Sequence, residues 1–321
     1  MSSPYFWLHG ATLALAWFSV VNVLASTALI VSAGVLWGRQ CTASSRLWFA
    51  LRMWPAALAV VFVTALFLPS YWKYEPRQVT EGFGVTLAAC AIAAMTIVAA
   101  ACVRGVSTWR RAARRTRAWM ATARPLALPG TSIPAFAIDA DAPVMALVGV
   151  LRPRLLVTRG LIDALTDDEL TASVAHELGH CRARDNLKRL AMRSAPDVLA
   201  GTAAARHLER RWASASEHCA DHRASDDSAA ARCALASALV KVARLTPMSL
   251  PSAEPISTLV GGGDIASRVH HLLAERAPAS SGSRARPAMV LAGSAALMAV
   301  TYAPVLRAVH DLTEVLVRFL P

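Results

Sequence analysis

In SVAHELGHCRARDN, residues 173–186, His176 and His180 stand four positions apart with Glu177 beside the first. On a helix that spacing puts both imidazoles on one face, where they can share one metal ion. Glu177 can then reach a water at the metal rather than the metal itself, the HExxH arrangement of zinc-dependent peptide hydrolysis. Zinc, expected at one ion per chain, would supply Lewis acidity to the water and to a scissile carbonyl. Glu177 would take the water's proton and return it to the leaving amine. Such a centre needs a third protein ligand. Glu217, in SEHCADHRA, is the best candidate, and Asp221, four residues on, can hydrogen-bond a ligand histidine. His218, Cys219 and His222 compete as donors in the same segment. His222 and Arg223 are also candidate hydrogen-bond donors to the oxyanion. His207, His270 and His271 have no partner spacing and are expected to be structural or solvent-facing.

These residues need helices to present them. Thr166-Asp167-Asp168-Glu169 has the Thr-x-x-Glu spacing of a capping box, with acids in the first turn to complement the helix dipole. The helix it opens is predicted to run to about Arg193, before Pro196. A second helical region spans about 203–245, followed by a Pro/Ser/Gly loop (247–263), a short helix in SRVHHLLAERA and the linker PASSGSRARP. Upstream, between Pro125 and Thr158, FAI, MALVGVL and LLVT alternate with turn residues and read as short strands.

The rest of the chain is apolar. Of 321 residues 55% are hydrophobic and 17% charged, with a formal net charge of +12. That charge suggests nucleic acid or an anionic membrane, and the segregation of charged from apolar residues favours the membrane; no direct nucleic-acid binding is expected. Residues 5–38, 53–72, 82–103 and 287–306 hold no Lys, Arg, Asp or Glu, and about 20 apolar residues suffice for one crossing. No basic residue precedes the first run, which argues against a cleaved signal. Arg39, Arg46 and Arg52 follow the first run, and six arginines between Arg104 and Arg117 follow the third. Positive loops stay inside, so both termini are expected outside and residues 104–286 in the cytoplasm. Trp7, Trp37, Trp48, Trp54 and Trp72 lie near the span ends, where indoles favour the interface. The Arg-rich stretch is expected to lie along the anionic inner leaflet, with Trp109 and Trp119 as anchors. The six cysteines show no paired spacing, and disulfides are not expected in that compartment.

The expected fold is therefore mainly α and integral to the membrane: four transmembrane helices plus a cytoplasmic α+β, zincin-like HExxH domain. Residues 1–103 hold three spans (about 5–37, 53–72 and 82–103), 104–286 the catalytic domain, and 287–321 the fourth span with a short outer tail.

HELGH followed by CRARDN, then E-H-C-A-D some forty residues on, resembles the membrane zinc metallopeptidases. GVLRPRLLVTRGLIDALTDDELTASVAHELGHCRARDNL, the Arg184-Asp185 pair and SRVHHLL resemble the BlaR/MecR-type peptidases, the β-lactam sensor–antirepressors, more closely than the HtpX and CAAX-prenyl-protease branch. The resemblance covers about 135–276. It implies His176, His180 and Glu217 as zinc ligands, Glu177 as base and Asp221 as an outer partner, with a cytoplasmic repressor as the protein substrate. The sensors continue into an outer penicillin-binding domain; here only residues 307–321 follow the last span, without a Ser-x-x-Lys motif, so β-lactam sensing is not carried over. Two other functions compete: a quality-control or peptide-processing protease acting on membrane substrates, and a non-catalytic, zinc-stabilised membrane scaffold in which Cys219 closes the site.

Overall fold

The computed structural model describes residues 4–36, 44–76, 84–128, 130–225, 228–245, 257–258, 265–274 and 285–319. The side chains of 33–36, 257–258 and 285–300 lie outside the described residues, as do Cys41, Trp37 and most of the expected 247–263 loop and 278–287 linker.

Among the described residues, three helices are long and apolar enough to cross a membrane. The first, α1 (Pro4–Leu36), matches its expected bounds. The second starts earlier than its apolar run. Helix α2 (Ser45–Val61) is capped by Ser44, whose hydroxyl accepts from the Leu47 amide, and continues through a π-helical stretch (Phe62–Phe67) into α3 (Leu68–Tyr74). Arg46 and Arg52, expected in a loop, are thus helical. The third, α4 (Val85–Thr122), is one helix of 38 residues, about 57 Å long at 1.5 Å per residue. Leu24, Val31, Val61, Ile92 and Met95 all face outward on these helices, each more than half exposed. That is the surface an apolar solvent favours.

The course of α4 corrects one expectation. Arg104–Arg117 is not a separate surface element; it continues the helix of the third apolar run without a break. Alanine and arginine are strong helix formers, and no proline interrupts 85–122. The helix ends on the catalytic domain, where Trp119 and Met120 pack against Ala146, Val148 and Leu156 of the sheet. Trp119 is therefore a core contact, not a lipid anchor.

The sheet has five strands, β1 (Arg124–Leu126), β2 (Ala135–Ile138), β3 (Met145–Val148), β4 (Arg154–Thr158) and β5 (Ser257–Thr258), in the order β1-β2-β4-β3-β5. Only the β2–β4 pair is parallel. One face meets α4; the other carries the main core. There Met145, Leu155 and Val157 pack with Leu161 of α5 (Arg159–Ala164), Val174 and Leu178 of α6 (Asp167–Ala183), and Leu235, Leu239 and Val242 of α9 (Ala229–Leu245). Each fully buried side chain of this size contributes roughly 1.5–3 kcal/mol. The remaining helices are α7 (Asp185–Arg193), α8 (Ala203–Ser225), α10 (Ile265–Leu273) and α11 (Ala285–Phe319). Helix α11 contains the expected fourth span and runs on through the expected tail, but the side chains of that apolar run up to residue 300 lie outside the described residues.

The capping box forms as expected. Glu169 accepts from the Thr166 amide at 2.9 Å, from the Ser237 hydroxyl at 2.6 Å and from Lys241 at 2.7 Å. Burial pushes the Glu169 carboxyl up, but Lys241, Ser237 and the Thr166 amide outweigh it and hold it at about 2. The folded state thus binds this proton more weakly than the unfolded one. The stabilisation is complete above the ordinary value near 4.5 and is lost as pH falls from there towards 2. Because the Lys241 side chain is 41% exposed, Glu169→Gln is expected to cost only about 1–2 kcal/mol at neutral pH. The gap to wild type should narrow below pH 4.5 in denaturant titrations; a constant gap would remove the charge from the explanation.

Each of the three spans sends one polar side chain to the short segment after α7. Asn22 of α1 donates to the Pro196 carbonyl at 2.8 Å and accepts from the Val198 amide at 3.2 Å. Arg52 of α2 holds Asp197 at 2.6 Å, Glu209 at 3.2 Å and the Met192 carbonyl at 2.9 Å. Arg104 of α4 donates to the Ala195 carbonyl at 3.0 Å. Helix α4 also passes very close to α7: a Cβ built on Gly105 would stand 2.7 Å from the Ser194 Cβ. The catalytic helices are thereby docked on one end of the bundle.

Candidate metal centre

Helices α6 and α8 cross at their smallest residues. A Cβ on Gly179 would lie 3.2 Å from the Ala220 Cα, and this close approach lets the HExxH face meet the face of α8 that carries Glu217 and Asp221. His176, Glu177 and His180 are fully buried, and Glu217 is 1% exposed. The two Nε2 atoms lie 3.2 Å apart, and Glu217 places one carboxylate oxygen 3.5 Å from each. Three ligands about 2.05 Å from a tetrahedral ion are separated by roughly 3.3 Å. The 3.2 Å between the nitrogens, and the 3.5 Å from each to its own Glu217 oxygen (Oε2 for His176, Oε1 for His180), are thus spacings suited to ligands of one zinc ion.

The outer contacts fix which ring nitrogens face that point. His176 Nδ1 lies 2.8 Å from Asp221, and His180 Nδ1 lies 2.8 Å from Asp185. With both Nδ1 protons given to carboxylates, both Nε2 lone pairs point inward. Both oxygens of Glu177 and both of Glu217 are buried without a hydrogen bond, a costly arrangement for carboxylates unless a cation and a polar reactant belong beside them. On these grounds the donor set fits a divalent zinc-like ion.

Asp185 is reached by a break in the expected helix. The spacing predicts one helix to Arg193, but Arg184 adopts φ 54°, ψ 41° and splits it into α6 and α7. This left-handed residue turns the chain so that Asp185, which a continuing helix would carry off the metal face, swings back to His180. Lys188 steadies the other Asp185 oxygen at 3.1 Å. Asp185→Asn is expected to present an N–H to Nδ1 and force the proton onto Nε2. It should lower metal affinity about 10–100-fold, readable by competition with a chelating dye; an unchanged affinity would sink this role.

A second residue not singled out from the sequence is Arg268, on α10. It is 1% exposed and grips Asp221 with two bonds, at 2.6 and 2.9 Å. Its Nη1 stands 3.0 Å from Glu217 Oε2, a close ion contact without hydrogen-bond geometry. The only signal in the sequence is a lone arginine in an apolar helical pattern, IASRVHHLL, where a buried charge must have partners.

The proposed oxyanion donors do not join this centre. His222 and Arg223 are exposed: at 100° per residue they point well away from the Glu217–Asp221 face, and Arg223 reaches only the Gly179 carbonyl, at 3.4 Å. Cys219 Sγ contacts the Ser45 hydroxyl at 3.7 Å, and His218 packs edge-on against His271 at 4.6 Å. Neither stands with the ligand trio.

The model of Peptidase family M48 matches residues 109–276, just over half of the chain. The chain belongs to peptidase family M48. Comparison with curated proteins finds no match. The M48 match runs from within α4 through α10, and so contains the metal trio, Asp185 and Arg268. It establishes a metallopeptidase family and does not reach the finer BlaR/MecR-type resemblance.

In this M48 centre the charges reinforce one another. With no ion between the ligands, burial disfavours a charged His180, but Glu217 and Asp185 outweigh it and hold its proton up to about 10, a proton that an ion at Nε2 would displace. His176 is raised against burial by Asp221 and Glu217. Glu217 lies well below the usual carboxylate range despite its burial, held there by His180, His176 and Arg268. Glu177 goes the other way, its carboxyl pushed up by burial and by the Glu217 charge. A base with a raised pKa is better matched to proton transfer near neutrality.

Proposed function

We propose that this protein is an integral-membrane zinc endopeptidase that hydrolyses a protein substrate on the cytoplasmic side of the membrane. The observation that carries it is the buried cluster of His176, His180 and Glu217, with facing donor atoms 3.2–3.5 Å apart, beside the Glu177 carboxylate, which has no hydrogen bond. A zinc ion held by that trio supplies Lewis acidity to water and carbonyl. Asp221 and Asp185 hold the imidazole tautomers, Arg268 fixes Asp221 and faces Glu217, and Glu177 accepts the proton of the attacking water and delivers it to the amine. His176, Glu177, His180 and Glu217 are themselves buried, and low-dielectric surroundings strengthen each of these contacts.

Regulatory proteolysis of a transcriptional repressor is the substrate reading we favour, on the BlaR/MecR resemblance. The side follows from the arginines after the first and third apolar runs. A second reading, processing or quality control of membrane proteins, is favoured by the grip of Asn22, Arg52 and Arg104, which keeps the centre at the bundle end. Quantitative proteomics of cells carrying wild type or Glu177→Gln tests both. A soluble DNA-binding protein that stops being cut supports the first, a membrane protein the second. No protein whose cleavage depends on Glu177 would remove the endopeptidase proposal.

A further inference from the structure

At the opposite end of the bundle a second group of metal-ligating side chains comes together. Glu75 follows the last residue of α3, and His310 and Glu314 lie on α11 four residues apart, on one helix face. One donor atom from each lies within 4.8 Å of the others, as in the trio of His176, His180 and Glu217. His310 Nδ1 stands 3.8 Å from Glu75 Oε2. That is too far for a hydrogen bond and about half an ångström wider than two ligands on one small ion. The imidazole is set in place by Tyr74, whose ring lies 5.7 Å away at 31°.

We propose that Glu75, His310 and Glu314 form a second site, for a divalent transition-metal ion of the zinc class. One imidazole and two carboxylates are a donor set of that class, whereas calcium and magnesium take oxygen ligands. The side chains of Glu75 and His310 are 10% and 20% exposed and that of Glu314 is 34% exposed, so the site is covered on the bundle side and open to solvent on the other. The competing partner of Glu314 is Arg318, at 3.7 Å and 77% exposed, and such a surface pair costs little to displace.

The site lies far from the catalytic centre. It adjoins the cluster of Phe6, Leu13, Phe67, Tyr71 and Val309, whereas the catalytic helices meet α1 at Asn22 and Leu29. From Phe6 to Leu29 the helix rises about 35 Å, more than the roughly 30 Å hydrocarbon core. Measured to Asn22 the rise is about 24 Å, so the site stands at the other end of the bundle from the peptidase centre. There it clasps α11 to α3 where Ser70 already bonds the Leu306 carbonyl at 2.6 Å.

The test is zinc stoichiometry on full-length protein in detergent, titrated against a chelating dye. Wild type should bind two ions per chain, His310→Ala and Glu314→Gln one each, and His176→Ala/His180→Ala one, which His310→Ala then removes. Calcium and magnesium in excess should leave the count unchanged. One ion in wild type, an equal count in wild type and His310→Ala, or displacement by calcium would overturn the proposal. The His310 comparison stands even if the double histidine variant fails to fold, and a peptidase without this second ion would leave the proposed function untouched.

Discussion

Glu177→Gln is expected to keep the wild-type metal content and to lower kcat/KM for peptide hydrolysis about 10³-fold, roughly 4 kcal/mol of transition-state stabilisation. Glutamine fills the same buried space and leaves His176, His180 and Glu217 untouched. What it removes is the one carboxylate beside the trio that has no hydrogen-bonding partner and can carry a proton between water and amine. Full activity in the variant would overturn the assignment of the base. Loss of the metal together with activity would instead make Glu177 a ligand.

Arg52→Leu is expected to be the most damaging substitution for stability outside the metal centre, at about 3–5 kcal/mol. The Arg52 and Asp197 side chains are 1% and 0% exposed, so removing the guanidinium strands a buried carboxylate and frees the Met192 carbonyl. Burying an ion pair is itself expensive, and a well-packed apolar pair is often no worse. Arg52→Leu/Asp197→Leu should therefore recover much of the loss. Thermal unfolding of the four proteins in detergent provides the cycle. A single variant as stable as wild type, or a double variant that loses the sum of both singles, would show that the pair does not act as a unit.

The centre was legible in part, and physics separates the two parts. His176, Glu177 and His180 are local: one helix period brings them together, and the Thr166–Glu169 box announces where that helix begins. Glu217 and Asp221 announce themselves by the same period on a second helix. Asp185 follows no period, because it reaches His180 only through the left-handed turn at Arg184. Arg268 lies 47 residues from Asp221, and the crossing of α10 over α8 that joins them has no sequence spacing. The helices outrun the apolar runs for a related reason. Arg52 and the 104–117 stretch are charged, and charge normally ends a span, but Arg52 is neutralised by Asp197 and the arginines of α4 continue a helix already started. Charge marks where apolar surroundings stop, which is not where a helix stops.

The three hands that hold residues 195–198 also limit where this peptidase can work. Cutting the catalytic segment free of α1 and α2 would leave Asp197 without its cation and residues 196 and 198 without Asn22. The metallopeptidase domain is thus tethered by its own fold, its metal-binding trio held at the bundle end by contacts that only the full chain provides.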